Sequence, residues 1–418
     1  MRMLKPTNIG NFVRGIDMLS DITSLPRGAV RDGVNVDFDV AGGVRSRAGF
    51  APALSLPGTH SLWGSADGSF GLVAQDDKLR RVIVQDGEPL SAIVLQGLTR
   101  SERMSYFEHG GAVFFTNGHQ LGSITRTTAM LLGLPVPPAP ALARTAVGVL
   151  PAGRYSAAVS YVAQSGEESG LSEMTDIELP AAGGLALGTQ PVAGLGLRVY
   201  LTPLNGDVLY QAAELAAGAG SVILGSYQPG KAADNQFLRP MPAGATVRAH
   251  NGRIVVARGR TLTFSRPFRY ALTDPRTDFV QFDADVVMVE PVRHGLFVGI
   301  ATGQVYFLAG GGPSDFSQAL VSVTPVVPWA STTMPATHLE PDLAKKAGAP
   351  VAVWLGRAGY VVGMPDGSVL DMQADRIALP ASSSGLAVAT VRQGIKQSLS
   401  IVESSATAGL GLAVDPEI

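Results

Sequence analysis

Glycines 310–312, followed by Pro313, are the first place in this sequence to look for chemistry, because the backbone N–H groups of a glycine-rich turn can cradle a phosphate. No Lys-Ser or Lys-Thr follows, and Pro313 has no N–H to give, so the loop reads better as a turn between repeated β units. The six histidines, His60, His109, His119, His250, His294 and His338, are dispersed without an HxH or HxxxH pair. His109 and His119 are the two that a hairpin would bring together. Asp76-Asp77, and Asp283 with Asp285, come nearest to paired carboxylates. On a strand, Asp283 and Asp285 share a face, as an oxygen-ligated cation or a glycosidase pair would require; the plainer reading is a polar strand start beside a turn. The run 64–68 (GSADG) departs from the nucleophile-elbow pattern and reads as a β-turn. These residues leave no catalytic, cofactor-binding or metal-binding set to name, and the expectation is a protein that is not an enzyme and uses no cofactor.

The elements that would position such residues are strands. Residues 261–308 hold three strand-like runs, 262–265, 286–292 and 296–308, with a tight connection at His294-Gly295 that predicts an antiparallel hairpin. A similar phrase, an apolar run, a turn, then a second apolar run, returns at 60–84, 103–124, 246–264 and 351–372. Each copy carries a turn pair that accepts positive φ: Asp76-Asp77, Asn117-Gly118, Arg258-Gly259 and Asp366-Gly367. Recurrence of such units predicts a β-propeller, in which radial stacking protects the strand edges. The one predicted helix covers 340–347, with Pro341 at its start and Gly348 at its end.

Composition agrees with an all-β fold. With 46% hydrophobic and 16% charged residues, 50 glycines and 28 prolines, the chain can bury large cores but shows almost no helical periodicity with charged faces. A formal net charge of −2 lacks the basic footprint of a sequence-specific DNA-binding domain. The absence of cysteine excludes disulfides and thiolate metal sites and suits a reducing cytoplasm. The opening MRMLKPTNIGNFVRG has no continuous apolar core, so no secretory signal is expected, and no run of about twenty apolar residues predicts a membrane span.

The middle of the chain changes character. Residues 135–140 (PVPPAP) form a semi-rigid spacer, after which Tyr155, Ala157, Val159 and Tyr161 alternate with small residues. Further short strands at 195–201, 208–212 and 221–226 predict a small β-sandwich. The expected organisation is an N-terminal segment and first blades over 1–134, an inserted sandwich over 135–228, the remaining blades over 229–403 and a tail over 404–418. The phrases around Tyr155–Val162, Gly166–Ser169 and 198–202 (RVYLT) resemble a fibronectin type III domain, which implies a spacing or binding module; the tryptophan usual in an early strand of that family is missing.

The N-terminal phrase is the most distinctive. Val34, Val36, Phe38 and Val40 alternate as a strand with one buried face, and 41–43 (AGG) turn into a second strand carrying Arg45 and Arg47. From Gly28 to Phe50 the phrase GxxxDGxNVDFDxxGxVRxRxGF resembles the opening of tail proteins of short-tailed bacteriophages, whose nozzle or hub subunit is a propeller. The segments 264–268 (FSRPF) with Asp274, Pro275 and Arg276, and 305–310 (VYFLAG), are similar to later parts of that family. The resemblance implies a virion protein assembled in the host cytoplasm, a subunit of a homohexameric ring that retains packaged DNA and conducts it during ejection. Its implied partners are adaptor and other tail proteins, tail fibres or a plug protein, and double-stranded DNA bound without sequence specificity, with no small-molecule substrate. Arg45, Arg47, Lys78, Arg80 and Arg81 are the expected interface or channel-facing residues. The alternative is a glycan- or ligand-binding propeller acting in host recognition. Such a protein presents exposed aromatic residues, whereas Trp63 and Trp354 read as embedded in strands and only Trp329 does not.

Overall fold

A computed structural model describes residues 11–38, 41–46, 53–99, 103–379, 382–392 and 395–404. The chain is all-β, and among the described residues five of the six four-stranded antiparallel sheets follow one another in space as they do in sequence. Blade one runs from strand Thr59–Gly64 to strand Glu88–Gln96, and blade two from Ser105–His109 to Ala129–Leu131. Blade three runs from Thr246–His250 to Phe279–Gln281, blade four from Val286–Val292 to Ser317–Ser322, and blade five from Val326–Met334 to Val369–Asp371. A two-stranded hairpin, Ser382–Arg392 with Ile395–Ser404, follows blade five.

Turn chemistry explains why these segments fold back locally. Gly110-Gly111 in blade two and Asn251-Gly252 in blade three take positive φ at both central positions, the backbone that matches the right-handed twist of a hairpin. Asp76, Gly118, Gly259 and Gly367 also sit at positive φ in the predicted turns. The helix covers Pro341–Ala347, and Gly348 closes it in the left-handed conformation.

Apolar burial joins each blade to the next. Leu72 and Leu79 of blade one pack with Val113, Phe115 and Ile124 of blade two; Phe114 and Leu121 of blade two pack with Val247, Ile254 and Val256 of blade three. Leu262 and Phe264 meet Leu296 and Leu308 of blade four, and Phe297 of blade four meets Trp354 of blade five, with ring centroids 5.4 Å apart. Fully burying one such side chain contributes about 1.5–3 kcal/mol, so each of these four joints is strongly held. Glycine appears where a ring must cross: a Cβ on Gly363 would meet the buried Phe297 ring at 2.5 Å.

Seven strands between Ala141 and Leu224 form two further sheets, one of three strands and one of four, and Tyr155, Val159, Leu185, Leu197 and Leu224 draw both into one core. This sandwich lies between blades two and three in the chain. Residues 132–140 reach it without regular structure, as the proline run predicts.

Several expectations need correction. The run 296–308 is two strands, Gly295–Ile300 and Val305–Ala309, because the chain turns at 301–304. The glycine loop at 310–312 joins two strands of blade four and does not connect blades. Asp283 and Asp285 lie in the bend before Val286–Val292 and not on a strand, so no pleat puts them on a common face. His109 and His119 sit at opposite ends of strand Ala112–Thr116. The N-terminal hairpin forms, Val36–Phe38 with Val44–Ser46, yet Val34 is 66% exposed and Val44 is also exposed, so that alternation does not mark a buried face. Val40, Arg47 and the tail from 405 onward lie outside the described residues.

Candidate functional site: the propeller axis

The first strands of all five blades, together with the first strand of the hairpin, border one cavity of about 600 Å³. Its wall includes Trp63 from blade one, Ser105 and Glu108 from blade two, Thr246 and Arg248 from blade three, Glu290 from blade four, Trp329 and Ser331 from blade five, and Leu386 and Val388 from the hairpin. Six elements converge here because each presents its innermost strand to the same axis. A second cavity, about 740 Å³, is bordered by His109, His250, Asn251, Arg293 and His294, the following residues of the same strands and their turns, and by Gly310 from the loop after the third strand of blade four.

A polar layer lies where the two cavities meet, and Thr333 borders both. Arg248 Nη2 donates to Glu290 Oε1 at 2.8 Å; Ser331 Oγ donates to the same oxygen at 2.7 Å and Thr333 Oγ1 donates to Oε2 at 3.2 Å. The Glu290 side chain is 1% exposed, and a carboxylate so far from water persists only with this kind of pairing. The layer therefore ties three consecutive blades together beside the axis.

Two tryptophans border the first cavity. Trp329 adopts φ 66°, rare for a bulky residue, at an irregularity where the pairing of Val326–Met334 shifts register. The Arg103 guanidinium lies 5.0 Å from its ring centroid, and Arg103 Nη2 donates to the Gly385 carbonyl at 3.0 Å. Burial, with Arg248 nearby, pulls the Arg103 pKa below its ordinary value. Trp63, tilted against Tyr106 at 6.4 Å, also borders the cavity, so two of the three tryptophans reach a pocket; Trp354 is buried in the blade core. Thr246 is 3% exposed, and its Oγ1 has no hydrogen-bond partner among the described residues.

The second cavity is rich in histidine. His250 Nε2 lies 2.8 Å from the Gly310 carbonyl oxygen, so that nitrogen carries the proton, and burial holds the ring below its usual pKa. His109 stands edge-on to Tyr270 at 6.0 Å. Among the described residues no group of three or more His, Cys, Asp or Glu is placed to hold a metal ion.

The residues expected at an interface or channel are not gathered on this axis. Arg45 is exposed on strand Val44–Ser46. Lys78, Arg80 and Arg81 lie on the third strand of blade one, two strands out from the axis. Lys78 lies 3.8 Å from Asp77, and Arg80 Nε donates to Gln75 Oε1 at 2.6 Å. Arg81 is a strut to blade two, donating to the carbonyls of Thr125 at 2.7 Å and Arg126 at 3.1 Å. Sequence reading missed Arg248 and Glu290. Their signal was present: opposite charges interrupt apolar first strands, TVRAH and VVMVEPV, of consecutive blades.

No family model matches this chain, and no curated protein matches it. Among solved structures, the chain is similar to BBS1N in complex with ARL6DN, with 12% identity, 85% of this chain and 94% of that chain covered, and a TM-score of 0.30. Apo AztD from Citrobacter koseri matches with 11% identity, coverage of 87% and 92%, and a TM-score of 0.28. The Neurospora crassa Pan2 WD40 domain matches with 9% identity, coverage of 80% and 83%, and a TM-score of 0.29. At these values the likeness carries nothing about function, and the radial arrangement of sheets rests on the chain's own packing.

Proposed function

We propose that this chain is a structural, non-catalytic subunit of the nozzle or hub ring at the lower end of a short-tailed phage tail, where it retains packaged DNA and conducts it during ejection. The observation that carries the reading is a pair of exposed apolar faces on different parts of the chain. On the hairpin, Leu386 pairs with Ile401 and Val388 with Leu399, which puts all four on one face, and all four are exposed, Ile401 by 72%. The opposite face, with Gly385 against Ala330 and Val327, is packed on blade five. On the sandwich, Val147, Val149 and Ile223 are exposed, Val149 by 74%. A ring closes through heterologous contacts that join two different faces of one subunit, and apolar surface on both is what such a contact needs.

The phrase beginning at Gly28 supports the same reading, since the part described forms a hairpin outside the blades. The axial cavity, about 600 Å³, is too small to pass a DNA duplex, so the DNA path belongs at the ring axis between subunits. The near-neutral net charge suits a wall that does not grip phosphates. The sandwich, with its three- and four-stranded sheets, serves as a fibronectin type III-like spacer.

Light scattering on the purified protein and mass spectrometry of intact particles test the proposal. About six copies per particle are expected for a sixfold ring. Absence of the chain from particles overturns it.

A further inference from the structure

We infer that the axial cavity bordered by Trp63, Thr246 and Trp329 is a binding site for a neutral, polyhydroxylated ligand of sugar size. At about 600 Å³ the cavity falls within the range of small-molecule sites. Trp329 is held at φ 66°, a backbone state that persists in a bulky residue only where its surroundings enforce it, and such outliers gather at ligand clamps. Together with Trp63 it gives the cavity two indoles of the kind that stack on the C–H face of a sugar ring.

The polar groups point to hydroxyls as their partners. Thr246 borders the cavity, but its Oγ1 is sealed from it, so the accessible polar groups are those of Ser105 and Glu108. Ser105 Oγ accepts from Val247 N at 3.1 Å and from Arg248 Nη1 at 3.4 Å, which leaves its own O–H to donate. The exposed Glu108 carboxylate borders the same space and accepts hydrogen bonds. Arg248 is already paired with Glu290, and Arg103 is engaged by the Gly385 carbonyl and the Trp329 ring, so neither guanidinium calls for an anion. A neutral ligand with several hydroxyls fits this set better than a phosphate or carboxylate. The site stands whether or not the chain assembles into a ring.

The test titrates the full chain with methyl glucoside, methyl galactoside, N-acetylglucosamine and inorganic phosphate, reading tryptophan fluorescence and saturation-transfer NMR. Saturable binding of at least one sugar is expected, with a Kd of about 1 mM or tighter. Ser105→Ala removes the hydroxyl that is left to donate, and it is expected to weaken binding by about tenfold with the fold intact by circular dichroism. Trp329→Gly suits the positive φ but gives up the contact with Arg103, so the protein should still fold by circular dichroism while losing the sugar; Trp329→Phe should retain part of the affinity. Three results overturn the inference: no saturable response to any of the sugars from folded protein, sugar binding unchanged in both Ser105→Ala and Trp329→Gly, or phosphate binding tighter than every sugar.

Discussion

Glu290 in the propeller and Glu168 in the inserted sandwich are both shielded carboxylates ringed by donors, yet the donors come from different distances. Glu290 draws on Arg248 of blade three and on Ser331 and Thr333 of blade five, so one side chain holds three separate sheets in place. Glu168 is met by Arg198 and takes hydrogen bonds from Ser160 Oγ at 2.7 Å and Tyr200 OH at 2.7 Å, which lie on neighbouring strands of one sheet, and from Asn235 Nδ2 at 3.0 Å on the way back to the propeller. The same chemistry thus sets the arrangement between sheets in one region and stiffens a single sheet with its connection in the other. Burial differs accordingly: the Glu290 side chain is 1% exposed and the Glu168 side chain 10%.

The largest expected effect follows from that difference. Glu290→Ala leaves Arg248 in the interior without its partner and should cost about 3–5 kcal/mol in urea unfolding, whereas replacing the pair by apolar residues should cost much less. Glu168→Ala should cost about 1–3 kcal/mol, because Arg198 keeps Glu214 as a second partner. All three tryptophans lie in the blades, so their fluorescence reports the propeller alone. Loss of Glu168 should disturb hydrogen exchange in the sandwich before it disturbs tryptophan emission; an equal response in both would show that the two regions unfold as one and break the contrast.

Smaller effects sharpen it. Gly363→Ala drives a methyl into the buried Phe297 ring and should cost about 1–3 kcal/mol, read as a lowered urea midpoint in the tryptophan signal. Ile401→Lys should shift stability by no more than about 0.5 kcal/mol, because the side chain is exposed, yet it should disperse any oligomer that light scattering detects in the parent. Retention of the oligomer in that variant would move the contact off the hairpin.

The smallest effect is on acid stability. Hydrogen bonding from Arg276 lowers the Asp274 carboxyl to a pKa of about 2, below its unfolded value. Its contribution is therefore present above the ordinary carboxylate range and is lost as pH falls from about 4 toward 2. Asp274→Asn should flatten that part of the pH profile of tryptophan-detected unfolding and leave the neutral region parallel to the parent.

Much of the architecture is local and was legible. Turn pairs such as Asn117-Gly118 and Asp366-Gly367 specify hairpins through backbone sterics alone, and the alternation of Tyr155, Val159 and Tyr161 marks a strand whose partners are a core. The alternation at Val34 misled, because a short hairpin can alternate without a sheet to pack against.

The sequence by itself determined that this chain is all-β, where most of its strands turn and where the proline spacer interrupts the blades. Only the tertiary structure decided that Arg248, Glu290 and Ser331, from three blades, share one layer, and that Trp63 and Trp329 face one cavity with Thr246. The physical reason is range: φ preferences and side-chain alternation act within a few residues, whereas the neighbours across a propeller axis are set by how whole sheets pack, which no local pattern encodes.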